Sequence, residues 1–134
     1  MSAMTGTTFR IGRDQIDWFA QRAQARFGAR MAPYLRAHYG DLVAELPSLE
    51  DWLRDRVAEA LQGGVTEEPE VAQYVLVQLV LLPHDHAHDE WVESVMADRS
   101  LLAVGKVRRL VAEARGLGVA RIEDVDFTHT LEGL

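Results

Sequence analysis

The chain has 134 residues and no cysteine, which fits a single domain and excludes disulfides, thiolate zinc sites and cysteine nucleophiles. Its net charge of −7 is uneven: residues 1–46 are net +2, residues 47–98 net −10 and residues 99–134 net +1, and the acidic middle disfavours nucleic acid and anionic membranes as partners. The longest apolar run, Val75 to Pro83, is broken by Gln78 and is too short to span a bilayer.

Residues 1–8 are small and polar and are expected to be disordered. MSAMTGTTFRIGRD lacks a basic region followed by a long apolar stretch, so no signal peptide is expected. From Asp14 the apolar positions Ile16, Phe19, Ala20, Ala23, Phe27, Met31, Leu35 and Tyr39 step by three and four, the mark of one helical face. Pro33 removes a backbone donor inside this pattern; because the spacing carries through it, a kink is expected in preference to a split near Gly28, with Gly40 ending the element.

Ser48 with Asp51 three residues later reads as a near capping box. The helix it opens turns Leu49, Trp52, Leu53, Val57, Ala60 and Leu61 inward and stops at Gly63-Gly64. Thr66 is the expected cap of the next helix, over roughly 67–82. Glu67 and Glu68 suit the positive end of its dipole, and Pro69 sits where no donor is missed. VLVQLVLL could be a buried strand by periodicity alone. The Thr66 cap and the acidic first turn favour a central buried helix.

Pro83 ends that helix, and a short one follows at about 89–97 with Trp91, Val92, Val95 and Met96 as its apolar side. Asp98 is expected to cap a last helix from Ser100 to Arg115, with Leu101, Leu102, Val104, Val107, Leu110, Val111 and Ala114 inward. Gly116 and Gly118 close it. The tail alternates weakly and predicts at most one short strand around 122–127. The expected fold class is all-α: a compact bundle of about five helices with a kinked long first helix and a buried central helix. The helical domain spans 9–118, and a short flexible C-terminal tail occupies 119–134.

Between the central helix and Trp91 lies PHDHAHDEW, holding three of the five histidines. His84-Asp85-x-x-His88 approaches the HExxH metalloprotease pair, with Asp one methylene shorter than Glu. The stretch also approaches the HxHxDH metal motif with its last two residues swapped, and an HxxxxD acyltransferase pair. A helix ending in His84-Asp85 resembles the all-helical HD phosphohydrolases. That resemblance would add His38 and Asp126 as metal ligands and make the chain a metal-dependent hydrolase.

Without any enzyme reading, His84, His86 and His88 are the candidate ligands for a weakly held divalent transition metal. Three alternate imidazoles share one side of an extended segment, and His84 and His88 pair at i, i+4 on a helix. The plainer reading is a charged, pH-sensitive connector. No cofactor motif of the P-loop, dinucleotide or nucleophile-elbow type is present.

One wider pattern adds a family. Arg10-Ile11, Asp14-Gln15-Ile16, Phe27-x-x-Arg30-Met31, Tyr34-Leu35-Arg36-x-His38-Tyr39, Val57-x-x-Ala60, Gly64-Val65-Thr66, Trp91 and Lys106-Val107 follow in order. Over about residues 9–112 the chain resembles small all-helical proteins encoded beside effector and spike genes of bacterial type VI secretion systems. The resemblance implies a bacterial, cytoplasmic accessory protein, an adaptor or chaperone for a secreted effector, with no catalytic residues. It also places the histidines in a variable connector. An immunity protein that blocks a toxin shares this binding logic. The expected partner is another protein, with Trp91 and Phe127 the candidate contact residues beside the acidic middle and exposed parts of the first helix.

Overall fold

VLVQLVLL forms the axis of the molecule. The computed structural model describes residues 22–127, and the expectations for residues 1–21 and 128–134 lie outside them. In chain order the elements are α1 (residues 22–38), α2 (Gly40–Val43), α3 (Leu49–Gln62), α4 (Glu68–Leu81), a 3-10 turn (Leu82–His84), α5 (Asp89–Ala97), α6 (Ala103–Gly116) and a second 3-10 turn (Ile122–Asp124). The fold is all-α, with no strand among the described residues. None of the described helices is long and apolar enough to cross a membrane.

α4 is apolar nearly all round, and Leu76, Leu79, Val75, Val77 and Val80 are fully buried. Each such side chain contributes roughly 1.5–3 kcal/mol relative to exposure. α3 and α6 pack against α4, and α5 packs against α6. From α1, Phe27, Met31 and Leu35 enter the same core, followed by Tyr39 just beyond its end. These are the positions the spacing of three and four selects.

The helix ends show where local signals decide and where they do not. Ser48 Oγ accepts from the Asp51 backbone N–H at 3.2 Å, so the cap of α3 forms as expected. At the other end Gly64 adopts φ +85°, with Gly64 N–H bonded to Leu61 O at 3.0 Å and Val65 N–H to Ala60 O at 2.9 Å. That is a Schellman closure, completed by the fully buried Val65. α6 ends the same way: Gly118 has φ +68°, and Val119 N–H reaches Ala114 O at 3.1 Å.

Several expectations are corrected. α1 runs on unsplit past Gly28 and Pro33, as its spacing favours, but Gly40 opens α2 rather than closing α1, whose helical backbone breaks at Tyr39. Thr66 is not the cap of α4, because Glu67 takes that place without a side-chain bond. Asp98 does not cap α6. Its carboxylate accepts from the Ser100 N–H at 2.9 Å and hydroxyl at 2.6 Å, closing a tight turn, and α6 starts three residues later than Ser100. Leu102 and Val104, expected inside, are exposed at 80% and 42%.

The tail segment that could have held a short strand forms none: Ile122–Asp124 is a 3-10 turn, and around it the buried Val119, Ile122 and Val125 recur every third position. The core therefore continues beyond the expected domain end at residue 118. Arg121 ties this segment to α2, pairing with Asp41 and, at 3.2 Å, with Asp124.

Lys106, the only lysine, explains the outward turn of Val104. It is 8% exposed, and its Nζ donates to Gly63 O at 2.7 Å and Met96 O at 2.6 Å. Those carbonyls lie at the C-terminal ends of α3 and α5, where the helix dipole favours a cation. With Lys106, Val107, Leu110 and Ala114 inward, Val104 falls on the flank of the buried stripe of α6, toward solvent.

The positive φ at Gly64 and Gly118 gives a direct stability prediction. Gly64→Ala and Gly118→Ala should each lower the urea-unfolding free energy by about 1 kcal/mol, because alanine is strained there. Gly28→Ala, in a helix with open space around the added carbon, should raise it by up to about 1 kcal/mol.

Candidate functional site

The histidine connector begins where α4 tightens into its 3-10 turn. Backbone bonds Asp85 N–H to Leu82 O at 3.1 Å, Ala87 N–H to His84 O at 3.2 Å and Asp89 N–H to His86 O at 3.3 Å fold it into successive turns. Asp85 sits at φ +56°, ψ −125°, a conformation that strains a residue with a Cβ. In this winding the alternate residues do not share one side.

His84 and His88 lie together, ring centroids 5.2 Å apart and edge to face. His84 Nε2 is enclosed, with no hydrogen-bond partner among the described residues. His88 Nδ1 accepts the Trp91 indole N–H at 2.9 Å. Because an indole nitrogen only donates, this bond leaves the Nδ1 lone pair engaged and puts the proton of a neutral ring on Nε2. His86 points elsewhere and is largely exposed. Its Nδ1 stands 2.9 Å from Asp89 Oδ2, and its Nε2 lies 3.6 Å from Asp85 Oδ1.

Among the described residues no three His, Asp or Glu side chains gather where one metal ion could be held. His84, His86 and His88 are thus divided between a half-buried pair and an exposed ion pair. The further ligands an HD-type centre would need are engaged elsewhere. His38 stacks on Tyr34 at 4.6 Å between ring centroids. Asp126 lies against Tyr39, its backbone bonded to the phenol, which burial and then Tyr34 push up to about 12.

Below the connector is a polar recess of about 450 Å³ among α3, α4 and α5. Glu59 holds its centre. Its carboxylate accepts from the Tyr74 hydroxyl at 2.8 Å and from Arg56 at 2.8 Å, while Gln78 donates to the Tyr74 oxygen at 3.0 Å. Burial first, then the Glu59 carboxylate, hold the Tyr74 hydroxyl far above the ordinary phenol range. The phenol therefore stays protonated and donates, and the network works as a fastener between α3 and α4. Sequence reasoning missed it, although Tyr74 and Gln78, four apart in an otherwise apolar helix, were its signal.

A larger, apolar groove of about 730 Å³ lies between α1 and α3. Ala25, Gly28, Ala29 and Ala32 form one wall, with Leu53 and Val57 opposite. The ion pairs Arg36–Glu50 (2.7 Å) and Arg54–Asp51 (3.3 Å) stand among its polar lining. Trp91 and Phe127 are not part of this groove. Trp91 packs half-buried at the core edge beside His88, and Phe127 is anchored through its carbonyl, which accepts from Gln73 at 2.8 Å.

Compared with known proteins, the chain matches no family model, no curated protein and no solved structure.

The His86–Asp89 pair has a pH signature. The bond from Asp89, then the charges of Asp85 and Asp89, raise His86 above the ordinary value of 6.5. Since the folded value is the higher one, the pair's contribution to stability is complete below the unfolded value and fades as pH rises through the folded one. An NMR titration should place His86 above 6.5, and Asp89→Asn should bring it down. An unchanged midpoint in Asp89→Asn would contradict the pair.

Proposed function

We propose that this chain is a non-enzymatic protein-interaction module, an adaptor or chaperone for a secreted effector or another component of a bacterial secretion system. The observation that carries the reading is the groove between α1 and α3. Its small-residue wall, Ala25, Gly28, Ala29 and Ala32, follows the i, i+3, i+4, i+7 spacing of one helical ridge. Small side chains there let another backbone come close, over a floor closed by the buried Leu53 and Val57. Among the described residues, a carbon added at Gly28 would meet nothing within 4 Å, which leaves space there for an incoming side chain.

The occupant this shape favours is an amphipathic helix of the partner. The neighbouring charges are already engaged as Arg36–Glu50 and Arg54–Asp51, so apolar contact supplies the affinity there. The partner class comes from the resemblance to type VI accessory proteins. An immunity role would use the same groove, and the identity of the bound protein separates the two. The metal-dependent hydrolase reading, through His84, Asp85 and His88, has no assembled ligand set among the described residues to support it.

The test is a photo-crosslinking residue placed at Ala29 in the chain expressed in its native host. One defined adduct, identified by mass spectrometry as an effector or secretion component, is expected, with none from the exposed control position Glu45. Ala29→Trp should abolish a matching pull-down while leaving circular dichroism unchanged. No adduct at Ala29, together with stoichiometric metal lost in a His84→Ala/His88→Ala variant, would overturn the proposal in favour of the metal reading.

A further inference from the structure

We propose that the outer face of α6 is a second docking surface, separate from the α1–α3 groove, and that it takes an acidic segment of a partner protein bearing apolar anchor residues. Single exposed leucines are ordinary on protein surfaces. Here the distribution is uneven: the exposed large apolar side chains of the described residues, Leu102 (80%), Val104 (42%) and Leu117 (54%), all lie on α6 or directly at its two ends. The sequence pattern had assigned Leu102 and Val104 to the core. Val104 stands clear because Lys106 faces the carbonyls of Gly63 and Met96, and Leu102 lies just before the helix as its extended N-cap residue.

Charge is concentrated on the same element. Residues 99–118 contain Arg99, Lys106, Arg108, Arg109 and Arg115 against Glu113 alone, net +4 in a chain whose total is −7. Lys106 points inward, Arg109 pairs with Glu113 at 3.5 Å and Arg115 reaches Glu123 at 3.9 Å. Arg99 and Arg108 make no ion pair with another described residue, although twelve acids crowd residues 47–98. Val104, Arg108, Ala112 and Arg115 recur at i, i+4, i+8 and i+11, so they form one ridge opposite Val107, Leu110 and Ala114.

That ridge fixes the chemistry of its partner. Arg108 and Arg115 stand roughly 10 Å apart along the helix axis, two turns, so carboxylates two turns apart on a facing helix would meet both. Leu102 and Val104 add an apolar contact at the N-terminal end. The face carries no aromatic platform for bases, and the remainder of the chain is strongly acidic, which sets it against nucleic acid and anionic bilayers. Two independent faces, one apolar and one cationic, are what a protein joining two partners requires. This surface stands or falls separately from the groove.

The probe is a fluorescent helical peptide with glutamates seven residues apart beside two leucines, titrated by anisotropy against the full chain. Saturable binding is expected, weakened about tenfold by Arg108→Glu, by Leu102→Asp/Val104→Asp and by raising salt from 0.05 to about 0.5 M, and unchanged by Ala29→Trp. A lysine version of the peptide should not bind. Equal binding of both peptides, or no effect of the α6 variants at unchanged circular dichroism, overturns the proposal. So does binding to phosphatidylserine vesicles in place of the peptide, or self-association in sedimentation that Arg108→Glu abolishes.

Discussion

The amine of Lys106 is the point on which the arrangement of α3, α5 and α6 depends. One buried cation answers the open carbonyl ends of α3 and α5 at once, at 2.7 and 2.6 Å. Without it, two helix C-terminal ends would meet inside the protein with their partial negative charges facing one another. Close approach is needed to make the clasp: a Cβ at Gly63 would come within 2.5 Å of the Met96 methyl. Fixing Lys106 inward sets the rotation of α6, and the rotation of α6 decides which residues reach solvent. A packing constraint in the interior thereby creates the apolar and basic surface outside.

The polar groups around α4 follow a similar logic of mutual satisfaction. Tyr74 and Gln78 interrupt the most apolar helix, yet each is held by the chain Gln78–Tyr74–Glu59–Arg56. Arg56 also lies over the Trp52 ring, 5.6 Å from its centroid. The histidines above are sorted by partner: His88 to the Trp91 indole, His86 to Asp89, His84 into an enclosed position. A segment that looks like one motif in sequence is three separate environments in space.

What was legible in the sequence was local. Apolar steps of three and four located the core face of α1; Glu68 and Pro69 marked the start of α4; Ser48 and Gly64 bounded α3 through side-chain and backbone bonds made within a few residues. What was not legible depended on partners far along the chain. Lys106 meets Gly63, 43 residues away, and no periodicity reveals that a lysine belongs inside. The phase of α6 was therefore misread at Val104, and its start at Leu102, which precedes the helix. The tail was misread for a different reason: the three-residue spacing of Val119, Ile122 and Val125 was read as weak alternation. Of the candidate sites, the first helix and the histidine stretch were visible, whereas the groove and the Glu59 network exist only once α3 is packed against its neighbours.

The most direct measurement of this account is the urea-unfolding free energy of Lys106→Met, which keeps the buried stem and removes the amine. Two charge-assisted hydrogen bonds to buried helix ends should be lost, so stability should fall by about 2–4 kcal/mol. Protease cleavage near Leu102 should rise as α6 loosens. A variant within about 0.5 kcal/mol of the parent, the ordinary range for a surface substitution, would contradict the central place given to Lys106.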